Sequence, residues 1–123
     1  MATGYKPSEI EPRWQQAWAD AALFVTDDSS PKPPYYALHM FPYPSGDIHM
    51  GHVEAFSLAD AVARYARLRG FEVMNPIGWD SFGLPAENAA INRGIHPYKW
   101  TMSNIENMRG QLRRMGAMFD LSA

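Results

Sequence analysis

The sequence predicts an α/β fold, with parallel strands, flanking helices and one further helix ahead of them. Three observations lead there. A short aromatic and apolar run at residues 35–40 is followed by a helical pattern over 48–69 and a second apolar run at 71–74. Strand, loop, helix, strand within about 40 residues is a βαβ unit, which implies a parallel pair and a right-handed crossover. Prolines and glycines crowd between residues 31 and 51, so the first strand runs into a loop with its own backbone geometry. The chain has 123 residues, 46% of them hydrophobic, which suits one domain with its own core.

The elements follow in order. Residues 8–24 read as a helix, because Trp14, Ala17, Trp18, Ala21 and Ala22 recur on one stripe. That stripe is expected to face the core. Ser8 and Glu11 have capping-box spacing, although Pro12 would move the start towards Glu11. Residues 26–34 (TDDSSPKPP) read as a linker or surface loop. The helix over 48–69 is expected to present Ala55, Leu58, Ala59, Val62, Tyr65 and Ala66. Arg64, Arg67 and Arg69 complement the dipole of its last turns, and Gly70 ends it. A shorter helix starts at Leu84 with Pro85 in its first position and stops at Gly94. The last helix covers 101–115 with Ile105, Met108, Leu112 and Met115 as its stripe, weakened by Gly110 and ended by Gly116. A further strand is expected to begin just after Phe119, so the end of the chain reads as cut.

Composition removes several classes of function. Lysine and arginine total 11 against 13 aspartate and glutamate, a net charge of −2. A nucleic-acid coat would be basic, whereas a single nucleotide needs only a few donors and a helix terminus. With no cysteine there is no disulfide, thiolate metal site or thiol nucleophile. No apolar run is long enough to span a membrane, and the first residues lack the pattern of a signal peptide. A cytoplasmic protein is expected.

In an open parallel sheet, ligands bind beyond the carboxyl ends of the strands. Two loops lie there, 41–52 and 75–87, and they hold most of the unusual residues. His49 and His52 share a face at a helix start, where unpaired backbone N–H groups and a partial positive charge suit phosphate. Gly51 between them would let a flat ring lie against the backbone. Such an arrangement suits attack at the α-phosphorus of a nucleotide. The alternatives for two histidines at this spacing are plain surface residues or half of a metal site, but no third ligand stands at an obvious spacing, and no protein-bound metal is expected. Asp80, between Gly78 and Gly83, either binds an ammonium group or caps a turn. Met40, Phe41 and Tyr43 either line an apolar pocket or pack in the core.

Residues 40–52 (MFPYPSGDIHMGH) and 78–91 (GWDSFGLPAENAAI) resemble two signature blocks of the leucyl-tRNA synthetases, in the same order. Residues 5–18 and 100–120 resemble the same enzymes, so the likeness is nearly chain-wide. It implies the first half of a Rossmann-like (HUP-type) nucleotide-binding fold. The chain would be the N-terminal part of a class I catalytic domain, with residues 1–34 as helix and linker and 35–123 as the βαβ binding segment.

The resemblance also implies roles. His49 and His52 would be catalytic, stabilising the transition state of leucine adenylation, and would bind ATP together with Pro42 and Gly51. Asp80 would hold the leucine ammonium, with Met40, Phe41 and Tyr43 around the leucine. Magnesium would accompany ATP, and tRNA(Leu) would receive the leucine; a monomer is expected. Where the family often has a basic residue, asparagine and tyrosine after the second histidine, this chain has Glu54, Ala55 and Phe56. The Lys-Met-Ser-Lys-Ser signature, the editing insertion and an anticodon-binding domain are absent from these residues. The isolated chain is therefore expected to be weak or inactive. The competing readings are a free-standing adenylate-binding module and a partner-docking fragment.

Overall fold

The N-terminal helix, α1 (Pro7–Asp20), starts on a proline whose missing N–H is no loss in the first turn. The computed structural model describes residues 4–122. Lys6 is the N-cap and makes no side-chain cap bond, so the expected Ser8–Glu11 box does not start the helix, and Pro12 lies inside it. The helix ends short of residue 24 because Ala22 turns to φ +46°. None of its residues is buried: Trp14 is half exposed, and Trp18 rests partly covered beside Phe24 and Arg64. The stripe expected to face the core does not: Trp14, Ala17, Ala21 and Ala22 are exposed, and only Trp18 is partly covered.

β1 (Pro34–Tyr36) and, after the crossover helix α2 (Met50–Leu68), β2 (Glu72–Met74) form a parallel pair with Tyr35 opposite Val73. The first strand is shorter than the 35–40 run, though Ala37 N–H still donates to the Met74 carbonyl at 2.9 Å. Beyond β2 one isolated parallel bridge joins Pro76 and Asp120, at the place where the sequence predicts a further strand after Phe119; among the described residues it does not extend into a strand. Asp120 N–H donates to the Asn75 carbonyl at 2.9 Å, and Asn75 Nδ2 donates to the Met118 carbonyl at 2.7 Å.

Of the stripe its periodicity suggested, α2 buries only Ala66, with Ala55 and Ala59 partly covered. Phe56, Ala63 and Ala66 are its buried residues, while Leu58, Val62 and Tyr65 are exposed. The reason is packing distance: alanines let the helix axis approach Ala37 and Val73, with which Ala63, Ala66 and Met118 make one core cluster. A second cluster joins Phe56, Ile77, Leu112 and Phe119.

Gly83, at φ +123°, leads into α3 (Leu84–Asn92), and Gly94 follows it at φ +65°. The last helix, α4 (Pro97–Met115), begins earlier than residue 101 because His96 caps it: its Nδ1 accepts from Tyr98 N–H at 3.2 Å. Ile105, Met108 and Leu112 are buried as their spacing requires, and Gly116 ends the helix in the left-handed region. No helix among the described residues is long and apolar enough to cross a membrane.

Candidate functional site

His49 is the N-cap of α2, extended at φ −117° and ψ 172°. Its backbone N–H donates to His52 Nδ1 at 3.3 Å. A neutral His52 therefore carries its own proton on Nε2, leaving a donor on the far side of the ring. Partial burial, and next the neighbouring His49, hold the His52 pKa below its ordinary value, so the neutral ring is favoured. The two imidazoles stack with centroids 3.9 Å apart and planes 24° from parallel.

Two neighbours hold this stack. Gly51 provides the floor: a Cβ there would lie 3.1 Å from His49 Cε1, tighter than ordinary contact. The flat ring against the Gly51 backbone is thus His49's own. Phe56, fully buried one turn further on, lies nearly parallel to His52 at 5.8 Å. His39 and Phe119 in turn pack against Phe56 at 5.7 Å each. His39 Nε2 is 3.1 Å from Asn75 Oδ1, which ties the end of the first strand to the end of the second.

The second loop closes on the first. Asp80 N–H donates to the Pro42 carbonyl at 3.0 Å, and the Phe41 ring lies on Gly78, where a Cβ would fall 2.9 Å from Phe41 Cε2. Glycine is needed at 78 for that close approach. Asp80 is exposed and, among the described residues, its carboxylate accepts no hydrogen bond from its own turn. Met40, Phe41 and Tyr43 are all exposed, against the core-packing alternative, while Pro42 and Pro44 are buried. The fold thus joins Phe41 and Pro42 to Gly78 and Asp80, and His49 to Gly51 and His52. Among the described residues no three His, Asp or Glu side chains gather where they could share a metal ion.

Sequence reasoning missed the side chains of α4. Asn104 Nδ2 donates to the Pro44 carbonyl at 3.0 Å. Asn107 Nδ2 and Gln111 Nε2 donate to Asp47 Oδ1 at 2.6 and 2.9 Å, and Gln111 Oε1 accepts from Ile48 N–H at 2.9 Å. The spacing i, i+3, i+7 was a signal, because it puts three amides on one helix face.

Comparison with known proteins agrees with this architecture. The model of the family described as tRNA synthetases class I (M) matches residues 36–122. A leucine–tRNA ligase of Rubrobacter xylanophilus is 61% identical over 120 residues, covering 98% of this chain and 15% of that protein. One of Rhizobium etli is 56% identical over 123 residues, covering 99% and 14%. Among solved structures, a LeuRS of Agrobacterium radiobacter K84, in ternary complex with tRNA and LeuAMS, superposes with a TM-score of 0.91 at 44% identity. That match covers 94% of this chain and 15% of the other. The chain spans only about a seventh of the length of these relatives. A family model over most of the sequence, on a fold that superposes this closely, makes the chain a member of the class I tRNA synthetases, with leucine–tRNA ligases as its relatives.

Proposed function

We propose that this chain is the ATP- and leucine-binding part of a leucine–tRNA ligase. Residues 35–123 would supply the binding segment, and 1–34 the preceding helix and linker. The observation that carries the reading is the stacked His49–His52 pair at the N-cap of α2, with the His52 proton on Nε2.

In the reaction a leucine carboxylate oxygen bonds to the α-phosphorus of ATP, the bond from that phosphorus to the bridging oxygen breaks, and pyrophosphate leaves with the electron pair. Negative charge builds on the equatorial α-phosphate oxygens. His52 Nε2–H, the His49 ring and the free N–H groups of the first turn supply fixed donors for it. Gly51 acts on the nucleotide site by seating the His49 ring, and Pro42 by tying the first loop to Asp80 N–H. The open Asp80 carboxylate takes the leucine ammonium, and Met40, Phe41 and Tyr43 surround its side chain. These donors suit phosphate oxygens and not a cation, so magnesium would arrive on the triphosphate. Transfer to tRNA(Leu) would be the work of the longer protein.

Leucine-dependent ATP–pyrophosphate exchange by the protein that carries this segment tests the reading. Asp80→Ala is expected to raise the leucine Kd by more than tenfold in a calorimetric titration while leaving the ATP Kd within about twofold. Equal losses for both ligands would count against the ammonium role.

A further inference from the structure

We propose that Gln111, with Asn104 and Asn107, positions the His49–His52 pair by clamping the loop that leads into it. The proposal rests on the adenylation reading above for its kinetic consequence, and on geometry alone for the positioning itself.

The loop 44–48 has little regular structure of its own, yet three of its residues are held by side chains of α4. Asn104 is buried and grips the Pro44 carbonyl. Gln111 uses both ends of its amide: Oε1 accepts from Ile48 N–H and Nε2 donates to Asp47 Oδ1. Asn107 donates to the same Asp47 oxygen, so that carboxylate is held from two turns of the helix at once. Ile48 directly precedes His49, and fixing its N–H fixes the Asp47–Ile48 peptide, one residue ahead of the N-cap. The rail therefore sets where the histidine rings sit against the start of α2. Below it, Leu112 and Ile48 pack with Phe56 in the same cluster, so the rail is anchored to the residue that stacks on His52.

An amide at 111 has a consequence that a packing residue would lack. A glutamate at 111 keeps an acceptor for Ile48 N–H but places a carboxylate against Asp47. Changing Asp47 to asparagine at the same time lets its Nδ2 donate to the glutamate and, with the Asn107 amide flipped, to Asn107 Oδ1, so the repulsion becomes a donor–acceptor set. The exchange Asp47→Asn with Gln111→Glu should therefore restore what either change alone disturbs.

The test has two readings. In the chain of 123 residues, NMR follows the exchange protection of Ile48 N–H and the ring signals of His49 and His52. Gln111→Met is expected to lose the protection and shift both rings; Gln111→Glu, pushed off by Asp47, is expected to weaken the protection and shift both rings, and the double exchange to recover them. In the protein that carries this segment, leucine-dependent pyrophosphate exchange is expected to lose roughly ten- to a hundredfold in kcat with the ATP and leucine KM little changed, a misplacement cost. The double exchange regains most of it. Ring signals that stay at their wild-type positions in Gln111→Met would overturn the proposal, as would a double exchange that recovers stability without recovering the rings. If Gln111→Met fails to fold, Gln111→Glu against the double exchange gives the same decision. Wild-type protein without leucine-dependent exchange would end the adenylation reading while the ring signals still judged the clamp.

Discussion

At position 51 the space for a side chain is already taken, by the ring of His49. Gly51→Ala sets two effects against each other. Alanine favours helix over glycine by up to about 1 kcal/mol, yet its Cβ would meet His49 Cε1 at 3.1 Å. The expected result is a thermal midpoint equal to or above wild type, with ATP affinity, measured by calorimetry, down by about tenfold. A parallel fall of both would show that the glycine serves stability only. His52 offers a second test through pH. Its folded pKa is lowered, so the unfolded chain takes up its proton first as pH falls. This part of the stability is complete above the ordinary value of 6.5 and is lost as pH falls from there through the folded value. Denaturant midpoints should drop more steeply from about pH 7 to pH 5 in wild type than in His52→Gln. At this scale the sequence was informative where chemistry is local. The histidine pair and Gly51 were visible from spacing alone. The packing of His39 and Phe119 on Phe56 was not, because residues so far apart in sequence meet only through the sheet.

α2 and α4 show why helices are easier to find than to orient. The period of α2 located the helix to within a few residues of Met50–Leu68, but the helix is apolar on more than one side. Periodicity could not tell that the alanines, and not Leu58 or Val62, would meet the sheet, since closeness of approach is decided by the partner. In α4 the apolar stripe was legible; the spacing put the three amides on one face, but what they grip was not legible, since amides on a helix ordinarily face water. α2 is also fixed by a polar clasp. Asp60 accepts from Arg64 Nε at 2.7 Å and from the Met118 backbone N–H, while Arg64 also donates to the Gly116 carbonyl. Asp60→Ala leaves these donors unmatched at a half-buried place, and is expected to cost about 1–3 kcal/mol in denaturant unfolding. A loss below a few tenths would mean that water replaces the clasp.

Across the whole molecule, the sheet is covered on one side. In β1 Tyr35 turns towards α2 and Tyr36 away, and the residues after the strand continue the alternation, with Ala37 and His39 inward and Leu38 and Met40 outward, Leu38 being 77% exposed. Parallel sheets are ordinarily buried on both faces, which is why the 35–40 run reads as apolar throughout. With the outer side of α2, where Leu58 and Leu68 are 67% and 87% exposed, this leaves large apolar surface in water. The chain alone is expected to bind a hydrophobic dye in its folded state, and Leu38→Lys to reduce the signal. Dye binding equal to that of an ordinary small domain would contradict this.

The parallel register has a kinetic side. Pro34 and Glu72 are partners across roughly forty positions of chain, so the strand pair forms only after a long loop has closed. Phe41 on Gly78 and Asp80 on Pro42 join the loops that follow the two strands, and Gln111 on Ile48 needs a further long closure between α4 and the first loop. No stretch of sequence contains the site in miniature. During refolding the helices can gain their local hydrogen bonds before the strand pair closes, so the two loops can meet only after distant parts of the chain have come together.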